Sequence, residues 1–226
     1  MKQMFSDEIA FKINRRRFVR LAIAFAGVMA ANQSVFAAGD DAGIYDADVP
    51  KDWSFIRIAA TDPSAVATAT IGEKPFKVSA GGISDYVARA PGDYTLLVKG
   101  QSTPLSVGQG QYLTVLAGAN TKEPVVVADV FTSDPAKCAL ALYNLTTMPV
   151  SLTALAKRSP VIKAVAPMSG VSIEVNAVAI DLNVEISGAI ARTFEKTTLK
   201  RRSVTSIFVL GSGPNDIILT SVSAKA

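Results

Sequence analysis

The 226-residue sequence contains no histidine. That absence removes the usual general base of a serine or cysteine nucleophile and the commonest zinc ligand. A Ser–Lys or paired-carboxylate mechanism stays chemically open, but no serine stands in a recognisable nucleophile context. There is one cysteine, Cys138, so no intramolecular disulfide can form even in an oxidising compartment. It sits in the apolar run CALALYN and reads as a core residue. Aromatic residues are only 7% of the chain and most alternate with core positions, few for a carbohydrate-binding surface. The longest apolar run near the start, Leu21 to Ala31, falls well short of the ~20 residues that span a bilayer as a helix.

That run does have the form of an export signal. Arg15, Arg16, Arg17 and Arg20 make a positive head, Leu21 to Ala31 an apolar centre, and Val35 to Ala37 a small-residue cleavage site. The expected cut lies between Ala37 and Ala38, which makes 1–37 a signal peptide and the mature chain a periplasmic protein. The basic head fits either the general secretory or the twin-arginine route. Residues 1–37 hold six of the 23 basic and two of the 19 acidic residues, leaving 17 of each in the mature chain. The basic isoelectric point therefore belongs to the signal and gives no ground for a nucleic-acid partner.

After the signal comes an acidic leader, residues 38–52, with Asp40, Asp41, Asp46, Asp48 and Asp52 around Tyr45. A calcium loop counted from Asp46 would need an oxygen ligand at position 5, Gly at 6 and Glu at 12. The chain has Pro50, Lys51 and Arg57 there, so the pattern fails and no metal or other cofactor is expected. Tyr45 is a candidate anchoring residue, because an aromatic in a polar leader needs somewhere to pack.

From Trp53 onward, short runs of Val, Ile, Thr and aromatics are punctuated by Gly, Pro, Asp and Asn, the pattern of a β-sandwich. Strands are expected near 53–60, 65–72, 84–89, 93–99, 103–107, 111–117 and 124–130. A second set is expected near 138–144, 149–155, 161–165, 170–176, 179–187, 193–199, 203–210 and 215–222. The two sets read as a degenerate repeat. Ser54 to Ile71 resembles Cys138 to Leu155, and Gly110 to Val127 resembles Ser203 to Thr220. The expected fold is all-β, with tandem β-sandwich domains at 38–130 and 131–226, carrying net charges of −4 and +4. Within the first strand Trp53, Phe55 and Arg57 share one face. If that face is exposed, Trp53 and Arg57 are candidates for contact with a sugar ring or a partner protein. Lys200-Arg201-Arg202, the only basic run after the signal, is expected in a hairpin turn.

Several of these segments, GDDAGIYDADVPKDWSFIRI, PGDYTLLVKGQSTPLSV, QYLTVLAG, ALYNLT and IFVLGSG, resemble the AlgF family of periplasmic accessory proteins for alginate O-acetylation. The resemblance covers essentially the whole mature chain and includes no catalytic motif. It implies a non-enzymatic adaptor of β-sandwich domains. The implied partners are Ser-His-Asp O-acetyltransferases of the periplasm and a membrane-bound acyl transferase, and the exported polymer is alginate or a related exopolysaccharide. The alternative is a module that binds the polysaccharide itself and presents it to those enzymes. The resemblance also implies an Arg and an Asn in the first strand of each half. Here the first half keeps Arg57 but has Ala60, and the second keeps Asn144 but has Ala141.

Overall fold

The alternating runs form strands almost throughout, and turn residues cut them at short intervals, as expected for an all-β chain. The structure, a computed structural model, describes residues 50–119, 123–132, 134–155 and 159–223. The leader with Tyr45 and the cleavage residues Ala37 and Ala38 lie outside the described residues.

Among the described residues four sheets form, two in each half. In the first half, β1 (Ser54–Ala60) pairs in parallel with β9 (Tyr112–Ala117), and β10 (Val125–Ala128) adds antiparallel to β9. On the other side of β1 lie β5 (Ile83–Ser84) and β6 (Val87–Arg89), with β4 (Val78–Ala80) outside β5. The facing sheet runs β3 (Lys74–Pro75), β2 (Thr70–Ile71), β7 (Gly92–Val98) and β8 (Gln101–Val107).

The second half repeats this plan. Strand β11 (Lys137–Asn144) pairs in parallel with β17 (Ser203–Val209), flanked by β18 (Ile217–Ser223) and β14 (Ser169–Asn176). Its facing sheet runs β13 (Ser159–Val165), β12 (Val150–Ala154), β15 (Ala179–Ile186) and β16 (Ala189–Thr198). Each half thus closes one sandwich core. Ile56, Ile58, Leu96 and Val115 fill the first, and Leu140, Leu152, Val184 and Ile207 the second. Cys138 is a buried member of the second core. Burying one of the Leu, Ile or Val side chains of these cores contributes about 1.5–3 kcal/mol.

The register corrects two expectations. Residues 65–72 are not one strand. Asp62 caps a short helix, α1 (Pro63–Ala67), by accepting from the Ser64 amide at 2.9 Å, with Pro63 pre-set for the first turn. Only Thr70 and Ile71 then extend. The repeat also shifts. Phe55 pairs with Tyr112 and Ala139 with Val204, so Tyr112 corresponds to Val204, not to Thr205 as the matched segments suggest. A slip of one residue sends every side chain to the opposite face, and only the observed register puts Leu116 and Phe208 on equivalent sides.

A third apolar cluster joins the halves. Ala59, Ile83 and Leu116 from the β1 sheet pack against Ala139, Tyr143, Val204 and Phe208 from the β11 sheet. Strands β1, β9 and β17 are therefore buried at every position, facing their own core on one side and the other half on the opposite side. The contact is reciprocal. Strand β10 lies against β14, while the turn before β5 approaches Ile218 of β18. Since β10 is the counterpart of β18, and β5–β6 of β14, the two halves meet as the subunits of a twofold dimer would.

Close approach requires glycine beside β1, in the turn before β5. A Cβ on Gly82 would lie 1.9 Å from the Ala60 carbonyl oxygen, a backbone atom that cannot swing aside. That residue also accepts the Ala60 amide at 2.7 Å. Gly82→Ala is expected to cost roughly 1–3 kcal/mol or more by overpacking. Thermal unfolding checks this: the midpoint should fall by several degrees.

Candidate functional site

Among the described residues, Arg57 is the largest fully buried side chain, at 2% exposure. It does not lie on an exposed face, as the alternation of Trp53, Phe55 and Arg57 allowed. Phe55 is also buried, and Trp53, half-buried, precedes the strand. The correction has a clear cause: the outer face of β1 is covered by the β11 sheet.

The guanidinium crosses that joint. Its Nε donates to Thr114 Oγ1 at 2.9 Å within its own half. Its Nη2 donates to Tyr143 Oη at 3.0 Å and Ser206 Oγ at 2.9 Å in the other half. The counter-charge is Asp129, just after β10, whose side chain is 1% exposed and 3.7 Å from Nη2. Asp129 also accepts from Tyr143 at 2.5 Å, Thr114 at 2.6 Å and Tyr86 at 2.9 Å. Aromatic rings complete the enclosure, with the Arg57 Cζ 4.6 Å from the Tyr86 centroid and 4.8 Å from that of Phe208.

A bulge supplies Tyr86. Ile83 faces Ala59 and Val87 faces Ile56, whereas the equivalent span of β14, from Gly170 to Ile173, is one residue shorter. The extra residue lies beside Arg57 and turns Tyr86 toward Asp129. The second half has Ala141 where the first has Arg57, so one cation occupies the joint. Asn144 has a different task. It donates to the Met148 and Val165 carbonyls and accepts from Thr146, fixing the turn into β12. The first half, with Ala60, makes the same connection through α1.

Burial opposes the charge on Arg57, but Tyr86, Tyr143 and Asp129 outweigh it and hold its pKa above the usual guanidinium value. Burial likewise pushes the Tyr143 and Tyr86 phenols up; Arg57 opposes that shift and Asp129 adds to it. This is a neutral, densely hydrogen-bonded network around one ion pair, suited to holding surfaces together.

Trp53 belongs to a different place, a surface cleft of about 310 Å³. Ser54 pairs with Arg89, so Trp53 at the head of β1 sits beside Ala90 at the end of β6. Ile71, Gly72, Glu73 and Lys74 from the β2–β3 hairpin and Tyr94 of β7 close the remaining sides. The structure therefore separates Trp53 from Arg57. Sequence reasoning did not find Asp129, Tyr86, Tyr143, Arg89 or Tyr94. Lys200, Arg201 and Arg202 occupy an exposed turn between β16 and β17, but those strands lie in different sheets, so the turn is a crossover and not the expected hairpin.

Among the described residues, the serine hydroxyl that meets a carboxylate, Ser64 with Asp62, belongs to the cap of α1. No group of three or more metal-ligating side chains forms among them either. The molecule is thus a tandem β-sandwich protein whose most elaborate polar cluster joins its two halves. The chain belongs to the family described as "Alginate O-acetyl transferase AlgF", whose profile matches residues 26–206. It is similar to the alginate biosynthesis protein AlgF of Pseudomonas putida, 29% identical with 83% of this chain and 86% of that one covered. The AlgF of Pseudomonas aeruginosa is 28% identical, with coverage of 88% and 90%. That of Azotobacter vinelandii is 22% identical, with coverage of 89% and 92%.

Removing Arg57 leaves Asp129 buried without its counter-ion. Arg57→Ala is expected to cost about 3–5 kcal/mol, and adding Asp129→Asn to recover part of it; urea unfolding of both variants checks this. The phenols give a second test. A raised pKa means that the neutral form is favoured in the folded state. Their contribution is complete below the ordinary tyrosine value of about 10 and is lost as pH climbs above it. In a tyrosinate absorbance titration, Tyr86 and Tyr143 should stay silent until alkaline unfolding, and Tyr143→Phe should lower the number of silent phenols by one.

Proposed function

We propose that the protein is a non-enzymatic adaptor of the periplasm. It is required for O-acetylation of an exported polysaccharide, alginate or a related exopolysaccharide, and bridges the acetyltransferase components. The observation that carries this reading is the family match across residues 26–206, in a chain with no histidine. The family description names an O-acetyl transferase, and acyl transfer by a serine needs a base beside the hydroxyl. Without histidine, this chain takes part in that chemistry by holding enzymes that have one. Its partners are Ser-His-Asp O-acetyltransferases and a membrane-bound acyl transferase. The joint at Arg57 supports such a role, since two sandwiches fixed by a buried interface present docking faces at constant spacing.

Deleting the gene should lower the acetyl content of the secreted polymer while secretion itself continues. The mature chain used as bait should retain a Ser-His-Asp acetyltransferase. Purified protein that releases acetyl groups from an ester donor on its own would overturn the reading.

A further inference from the structure

The two buried arginines of the first half are served differently. Arg57 has Asp129. Arg89 is 6% exposed, and no carboxylate lies within ion-pair reach of it among the described residues. It donates to the Ile71 carbonyl at 2.6 Å and the Ala88 carbonyl at 3.2 Å, which uses two of its five N–H donors. A desolvated guanidinium without a counter-ion is unfavourable unless an anion reaches it. Arg89 lines the cleft, where Lys74 supplies a second cation at the rim and Trp53 and Tyr94 supply apolar walls. The Arg89 Cζ stands 5.8 Å from the Tyr94 centroid. Gly72, beside that ring, adds no side chain to narrow the opening; a Cβ there would stand 3.7 Å from it.

We propose that this cleft docks an acidic peptide segment of a protein partner, with an apolar side chain against Trp53 and Tyr94 and an adjacent carboxylate on Arg89 and Lys74. This rests on the adaptor reading and names the chemistry of one of its contacts. Charge complementarity selects the occupant. The walls are mostly apolar, and besides the tyrosine hydroxyl and the Trp53 indole N–H the polar side chains are Glu73, Lys74 and Arg89. That hydroxyl is already donated to the Ala90 carbonyl at 2.8 Å. A pyranose ring brings several hydroxyls that such walls leave unsatisfied. A uronate chain also carries a carboxylate on every residue, and Glu73 at the rim repels the neighbours of whichever one enters. A peptide with a single carboxylate avoids the second of these costs.

Trp53 is the only tryptophan of the chain, so its fluorescence reports the cleft directly. The mature protein is titrated with acetyl-Ala-Leu-Asp-Ala-amide at millimolar concentrations, with the Asn analogue, and with an oligouronate. The expected result is a saturable change with the Asp peptide, weakened roughly tenfold or more with the Asn analogue. Lys74→Glu, at an exposed position that leaves the core intact, should weaken it by roughly fivefold. Equal responses to the Asp and Asn peptides, or no response to either, would overturn the proposal. Saturation by the oligouronate without a response to the peptide would also overturn it, in favour of a polymer site. A failure here leaves the retention of an acetyltransferase by the full chain as a separate result, so the adaptor reading stands or falls on its own test.

Discussion

One buried ion pair stands at the centre of the contact between the two halves. Arg57 and Asp129 come from the same half, yet both are completed by the other: Tyr143 contacts each of them, and Ser206 contacts the arginine. A desolvated guanidinium or carboxylate is tolerable only with its partners in place. Separating the halves would strip Arg57 of two acceptors and Asp129 of one donor, besides exposing the apolar cluster around Ala59, Tyr143 and Phe208. The pair therefore makes the joint specific. Apolar surfaces alone tolerate sliding, whereas this network is satisfied in one arrangement.

The internal symmetry explains why there is one arginine and not two. Because the halves meet reciprocally, the position equivalent to Arg57 in β11 also faces the joint, and it is Ala141. A second guanidinium there would bring like charges into an apolar interface with one carboxylate between them. The other departures follow the same division of labour. A one-residue bulge in the first half delivers Tyr86 to the pair, and an asparagine in the second half builds a turn where the first has a capped helix. Ala141 and the bulge lie at the joint itself, where a self-complementary contact leaves room for only one copy of an asymmetric feature.

The strand pattern was readable because alternation and turn residues are local properties. Segments such as 93–99 and 203–210 stand close to β7 and β17. The span 65–72 was misread because Ser64 to Thr70 is rich in Ala, Val and Thr, and only the Asp62-Pro63 cap betrays the helix. Arg57 carried a signal that alternation could not interpret. A lone arginine inside FIRI is an exposed residue if one face of the strand is wet, and a buried one needing a counter-ion if neither is. Asp129, after the apolar run VVVA, was the other half of that signal, 72 positions away. Arg89 and Tyr94 left no such trace, because the cleft exists only where β1, β2, β6 and β7 converge.

The sequence by itself determined the all-β character, the repeated plan, the core status of Cys138 and the family, all of which reside in residue periodicity and order along the chain. Tertiary structure alone decided which face of β1 meets water, and so turned Arg57 from a candidate contact into a joint. It also brought Trp53 beside Arg89, and it fixed the register of the repeat by one residue. The physical reason is the same in each case. Periodicity states that two faces differ, but only the packing of one sheet on another decides what each face touches.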